Sequence, residues 1–207
     1  MTLSPPLDLL LRARTLPVLV IDDVDHAVPL ARALAAGGLT VLEITLRTPA
    51  ALGAIAAIAR DCPDVIVGAG TILSPDDIEA AAAAGATFGV SPGATPRLLA
   101  AARAWGRPFY PGTTTASEIM HAREAGFTTV KFFPAEANGG ASALKSLAAP
   151  LADVRFCPTG GISPANVAQY RALPQVACVG GSWMAPDAAV KAGEWDRITA
   201  LARESLA

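Results

Sequence analysis

Only three lysines occur in the chain, Lys131, Lys145 and Lys191, and just one of them stands in an apolar stretch. Lys131 lies within Thr129-Val130-Lys131-Phe132-Phe133-Pro134, between aliphatic and aromatic side chains. Burial there disfavours the ammonium form and lowers an amine's pKa. A neutral amine near pH 7 is what Schiff-base chemistry on a ketone requires. The other two lysines fall in helical or loop stretches and read as solvated. A second polar group stands in Val41-Leu42-Glu43-Ile44-Thr45-Leu46-Arg47. A period of two puts Leu42, Ile44 and Leu46 on one face and Glu43, Thr45 and Arg47 on the other. With the apolar face packed against helices, the polar face points inward, where a glutamate is costly unless it finds a cation or a hydrogen-bonding group. Two readings of Lys131 and Glu43 stand side by side: a buried structural ion pair, or a nucleophile with its proton carrier. A buried pair is a poor device for stability alone, which favours the second.

Glycine-rich segments supply a third group. Pro158-Thr159-Gly160-Gly161-Ile162-Ser163-Pro164 and Val179-Gly180-Gly181-Ser182-Trp183 each follow an apolar run. Either Gly-Gly alone reads equally well as a tight turn. Both together, after the last two of eight strands in a parallel barrel, occupy the usual phosphate-binding corner, where backbone N–H groups and a helix N-terminus face the anion. Val67-Gly68-Ala69-Gly70-Thr71 and Val90-Ser91-Pro92-Gly93 complete the rim with small residues expected close to a ligand. The first has the outline of a dinucleotide loop but lacks its third glycine.

These residues need a frame that brings them to one end. Short apolar runs recur at Pro17–Ile21, Val41–Leu46, Val65–Gly70, Phe88–Pro92, Phe109–Gly112, Thr129–Pro134, Arg155–Pro158 and Ala177–Gly181. Between them lie stretches with helical spacing, including His26–Ala36, Ala50–Arg60, Asp76–Ala84 and Arg97–Trp105. Such alternation predicts βαβ units and a parallel sheet covered on both faces. Eight units predict a (β/α)8 TIM barrel, with Pro6–Arg14 as an extra N-terminal helix closing its floor. Ser74-Pro75, Thr95-Pro96 and Ser163-Pro164 read as an N-cap followed by Pro at the first helical position. Gly37, Gly85, Gly106 and Gly126 follow helical stretches, where a left-handed residue is wanted. No linker divides residues 1–207, so a single domain is expected.

Composition bounds the function. Charged residues make up 16% of the 207, aromatic residues 5%, and just over half are apolar. Every apolar run ends before the roughly 20 residues that a membrane span needs. Asp8 interrupts the N-terminal leucines and no basic leader precedes them, so a signal peptide is not expected and a cytoplasmic protein is. A net charge of −2 leaves no basic footprint for nucleic acid. Cys62, Cys157 and Cys178 cannot all pair and lack metal-ligand spacing, which points to reduced buried thiols. His26 and His121 lie in helix-like stretches away from the strand ends, which speaks against a zinc site or a serine–histidine triad.

At this point the chain closely resembles the 2-keto-3-deoxy-6-phosphogluconate aldolases, which also act on 4-hydroxy-2-oxoglutarate. The resemblance runs from about Pro17 to the C-terminus. It rests on Leu46-Arg47-Thr48, Val67-Gly68-Ala69-Gly70-Thr71, Ser91-Pro92-Gly93, Lys131-Phe132-Phe133-Pro134-Ala135-Glu136, Arg155 to Pro164, and Gly180-Gly181-Ser182-Trp183. It implies a metal-independent, cofactor-free class I aldolase, a homotrimer with a small phosphorylated keto acid as its partner. It also implies roles: Lys131 forms the imine with pyruvate's keto carbon and Glu43 carries protons. Arg47 with Thr71 binds the carboxylate, and Pro92 and Phe133 wall the pyruvate pocket. Thr159, Gly160, Gly161, Gly181 and Ser182 hold the distal phosphate. One departure stands out: Asp22 and Asp23 follow the first strand, where some relatives carry basic residues. They either face the substrate or cap the next helix. Two rivals use the same frame, a cofactor-free sugar-phosphate isomerase or epimerase and a non-catalytic phosphate sensor, since fold alone does not fix function.

Overall fold

The computed structural model describes residues 5–207. Helix α1 (Pro5–Ala13) precedes β1 (Thr15–Leu19), and strands and helices then alternate. In chain order they are α2 (Ala27–Ala36), β2 (Val41–Thr45), α3 (Ala51–Asp61), β3 (Ile66–Gly70), α4 (Pro75–Ala83), β4 (Gly89–Val90), α5 (Pro96–Trp105), β5 (Phe109–Tyr110) and β6 (Gly112–Thr113). They continue with α6 (Ala116–Glu124), β7 (Thr129–Phe132), α7 (Gly140–Ala148), β8 (Arg155–Pro158), α8 (Val167–Arg171), β9 (Val179–Gly181), α9 (Asp187–Lys191) and α10 (Trp195–Glu204). The strands form a curled α/β arrangement of two parallel sheets, ordered β5-β4-β3-β2-β1-β9 and β6-β7-β8. All eight expected runs contain strand, but the structure trims them. Phe88–Pro92 shortens to two residues, and Phe109–Gly112 is split at Pro111. Proline has no N–H to donate to the ladder, which is reason enough for the break; its carbonyl still accepts from Lys131 N at 2.9 Å.

Alternation along β2 sorts the interior from the outer layer. Leu42 and Ile44 join Leu30, Leu34, Ile55 and Ile58 of α2 and α3 in the outer core. Val41, one residue earlier and on the other face, joins Leu10, Leu16, Phe88, Val90, Tyr110 and Cys157 inside the curl. Apolar side chains therefore fill one end of the enclosed interior. Glu43, next on Val41's face, begins a polar layer above them.

Helix punctuation follows local chemistry in most places. Ser74 accepts from Asp77 N, Asp77 answers with a capping box, and Thr95 accepts from Leu98 N. Ser163 does not cap: α8 begins only at Val167, and Asn166 folds back to accept from Ser163 N at 2.8 Å. Gly85, Gly106 and Gly126 are left-handed as expected, but in the first of these loops the left-handed residue is Gly38 rather than Gly37. Gly37 is small for another reason. A Cβ there would come within 2.4 Å of Ala202 Cβ, where α10 crosses α2.

Candidate active site

β2 and β7 carry the two ionisable groups to the middle of the interior. Lys131 is 6% exposed and Glu43 1% exposed, and Lys131 Nζ lies 3.4 Å from Glu43 Oε1. That contact is long for a charge-assisted hydrogen bond. The other carboxylate oxygen, Glu43 Oε2, is buried without a protein partner among the described residues. An unpaired buried carboxylate oxygen costs stability, so the pair is badly built as a staple. It is well built to receive a proton or a ligand hydroxyl. Lys131 Nζ also sits 5.0 Å from the centroid of the Phe133 ring, which turns the amine toward the strand end.

The two glycines of β3 make room for the protein's own side chains. A Cβ on Gly68 would meet the Phe88 ring at 2.5 Å, and one on Gly70 would lie 2.1 Å from Glu43 Oε1. Gly70→Ala is therefore expected to push the carboxylate aside. An error of about 1 Å in such a group costs on the order of 10²-fold in rate. Steady-state turnover, with circular dichroism to verify folding, checks this; unchanged turnover would contradict it.

Arg47 stands just beyond β2, exposed at the mouth. Its Nε donates to Thr45 Oγ1 at 3.1 Å, and Thr45 in turn donates to Leu19 O at 2.8 Å. This relay fixes the guanidinium's inner edge to β1 and leaves its outer nitrogens without a protein partner among the described residues. A planar guanidinium so placed matches a carboxylate bidentately. Thr71 follows β3 with φ 59°. For a β-branched residue the left-handed region is strained by about 1–3 kcal/mol, and such strain gathers at functional sites. Pro92 follows β4, and its carbonyl presses on Gly112, where a Cβ would lie 2.2 Å away.

A cavity of about 410 Å³ opens at this end of the strands. Arg47, Phe133, Thr159, Gly160, Gly161, Gly181 and Ser182 all line it. Seven of the expected site residues thus share one space. Lys131 and Glu43 are not part of the lining, but Lys131 Nζ lies 5.0 Å from the ring of Phe133, which is. Thr71 and Pro92 stand at neighbouring strand ends and are not part of the lining. The expected helix N-terminus contributes little, because α8 and α9 have only five residues each.

Sequence reasoning missed several lining residues. Val18 and Val20 border the cavity from β1 and its end, and their spacing of two was a usable signal. Asp187 also borders it, beside a Lys191 ammonium at 2.8 Å that its carboxylate holds above the ordinary lysine pKa. Nothing in the sequence marked that position. Asp23 accepts from Asp25 N at 3.0 Å and caps a short 3-10 turn, the second of the two readings of that pair. Asp22 lies 3.8 Å from Lys191 on the surface. The three cysteines are free and buried. Burial, then the neighbouring Cys157, pushes the Cys178 thiol well up, which leaves it inert.

The KDPG and KHG aldolase family model matches residues 8–201. A 2-dehydro-3-deoxy-phosphogluconate aldolase of Pseudoalteromonas atlantica is 54% identical over 200 residues, 97% of this chain and 93% of its own. A KHG/KDPG aldolase of Escherichia coli is 54% identical over 190 residues, 92% of this chain and 89% of its own. Among solved structures, a KDPG aldolase of Legionella pneumophila with pyruvate captured as a covalent carbinolamine superposes with a TM-score of 0.94. It is 44% identical, and 97% of each chain is covered.

Proposed function

This chain belongs to the KDPG and KHG aldolase family, and from that premise we propose that it cleaves 2-keto-3-deoxy-6-phosphogluconate to pyruvate and glyceraldehyde 3-phosphate through an imine on Lys131. Cleavage of 4-hydroxy-2-oxoglutarate to pyruvate and glyoxylate is included, in line with the similarity to the KHG/KDPG aldolase of E. coli. The observation that carries the assignment is Lys131 Nζ, buried 3.4 Å from a half-unpartnered Glu43 near a cavity edged by Arg47 and Phe133. A cofactor-free isomerase would form no covalent imine on that amine. Mixing the protein with the phosphorylated keto acid and following pyruvate release tests the reading, and no pyruvate would refute it.

The Lys131 amine, its proton passed to Glu43, attacks the C2 ketone; the carbinolamine hydroxyl takes that proton back and leaves as water to give a cationic imine. Glu43, directly or through a water, takes the C4 hydroxyl proton. The C3–C4 bond then breaks: its electrons pass into the imine to form an enamine, and the aldehyde departs. Protonation at C3 and hydrolysis release pyruvate and free the amine. Arg47 and Thr71 hold the carboxylate, Pro92 and Phe133 wall the three-carbon end, and Thr159, Gly160, Gly161, Gly181 and Ser182 hold the phosphate.

Arg47→Ala is expected to raise KM for both keto acids roughly tenfold or more, the loss of about 1.4 kcal/mol or more in carboxylate binding. Steady-state kinetics check it, and an unchanged KM with unchanged kcat would remove Arg47 from the site. Because the imine is itself the electron sink, turnover should survive EDTA; loss restored by a divalent ion would point to a metal aldolase.

We also propose that the two sheets close into one (β/α)8 barrel and a single domain. The parallel bridge Thr159–Gly180 joins the second sheet to β9, and Pro111 alone separates β5 from β6. Helix α1, whose Leu10 packs with Leu16 and Tyr110, would be the extra helix at the floor. A cytoplasmic homotrimer completes the reading, in line with the family resemblance.

A further inference from the structure

We propose that Glu136, Tyr170 and Asn166 are positioning residues, a clamp that turns two consecutive backbone N–H groups toward the cavity to bind the substrate's phosphate; this rests on the phosphate-end assignment above. The loop after β8 begins where Ala135 N donates to Thr159 O at 2.8 Å and Glu136 N donates to Gly160 O at 3.1 Å. Asn166 Nδ2 then donates to Gly161 O at 3.1 Å. Three successive carbonyls are therefore each held by a partner. In a planar trans peptide the C=O of one residue and the N–H of the next point opposite ways. Holding the carbonyls of Gly160 and Gly161 thus aims the N–H groups of Gly161 and Ile162 away from Glu136 and Asn166. Both residues line the cavity. Neither N–H donates to another group among the described residues.

The turn needs its glycines, since φ is 102° at Gly160 and 76° at Gly161. Successive amides in such a conformation make an anion-binding concavity. A Cβ on Gly161 would also meet Glu136 Cβ at 2.7 Å, so the loop lies directly on Glu136. Glu136 is itself anchored. Its Oε1 accepts a short hydrogen bond from Tyr170 OH, and the Tyr170 side chain is fully buried. Burial, then the carboxylate, raises the Tyr170 pKa, so the hydroxyl stays a donor throughout the working range. Asn166 is anchored through Ser163 N. A loop braced in this way presents its donors without reorganising when the anion arrives, which is how preorganisation raises affinity.

The experiment compares wild type, Asn166→Ala and Tyr170→Phe in three readouts: KM for 2-keto-3-deoxy-6-phosphogluconate, KM for 4-hydroxy-2-oxoglutarate, and inhibition by inorganic phosphate. The clamp predicts that each variant raises the ratio of the first KM to the second about tenfold and weakens phosphate inhibition to the same degree. Should Tyr170→Phe fail to fold, Asn166→Ala, at a half-exposed position, still decides. A wild type inhibited by phosphate whose variants keep both the inhibition and the KM ratio would overturn the clamp alone. A wild type indifferent to phosphate would overturn the phosphate-end assignment and the clamp with it.

Discussion

Lys131→Ala and Lys131→Arg are both expected to lose at least about four orders of magnitude in cleavage rate, on the order of 5 kcal/mol in the barrier. The arginine variant is the more informative. A guanidinium stays protonated at any working pH, so it keeps a cation beside Glu43 and cannot attack a ketone. Were Lys131 only the partner of a structural ion pair, arginine would preserve turnover along with the fold. A nucleophile predicts the opposite: a thermal transition close to wild type and no pyruvate released. The alanine variant, by contrast, leaves Glu43 buried without a cation. Removing one member of a buried pair costs about 3–5 kcal/mol of stability, so its melting temperature should fall as well. Kinetics and thermal melts on the two variants separate the chemical role of the amine from its electrostatic one.

The second large effect is expected at Glu43. Glu43→Gln keeps the shape that Gly70 leaves room for and removes the ability to carry a proton. General acid–base groups contribute about 10²–10⁴-fold, and the loss in kcat should lie in that range. Exchange of pyruvate methyl protons with heavy water gives an independent readout, because it requires the imine and enamine to interconvert. It should slow along with cleavage. An exchange rate equal to that of wild type, with cleavage also intact, would remove Glu43 from the proton pathway.

How far the sequence could lead is clearest at particular residues. Lys131 and Glu43 were legible because an ionisable side chain among apolar neighbours has to be explained by a partner, and there were few to choose from. The period of two along β2 placed Glu43 inside and Leu42 outside, as found. The Gly160-Gly161 loop was legible from its place after a strand. What held it was not, because Tyr170 lies on, and Asn166 just before, a helix whose start was expected at Pro164, three residues before its true beginning at Val167. A proline after a serine is a good helix signal, and here the Asn166 side chain overrode it by folding back on Ser163. The glycines of β3 make room for Phe88 and Glu43, which spacing alone did not reveal, since it does not say which neighbour occupies the gap. The backbone strain at Thr71 left no trace in residue types at all.

The claim on which everything else depends is that the Lys131 amine forms a covalent imine with pyruvate. Incubating the protein with pyruvate, reducing with borohydride and mapping the product by peptide mass spectrometry tests it in one step. A single carboxyethyl group on Lys131, absent when borohydride is omitted, is the predicted result. No adduct, or an adduct confined to Lys145 or Lys191, would contradict the assignment of Lys131 as the nucleophile.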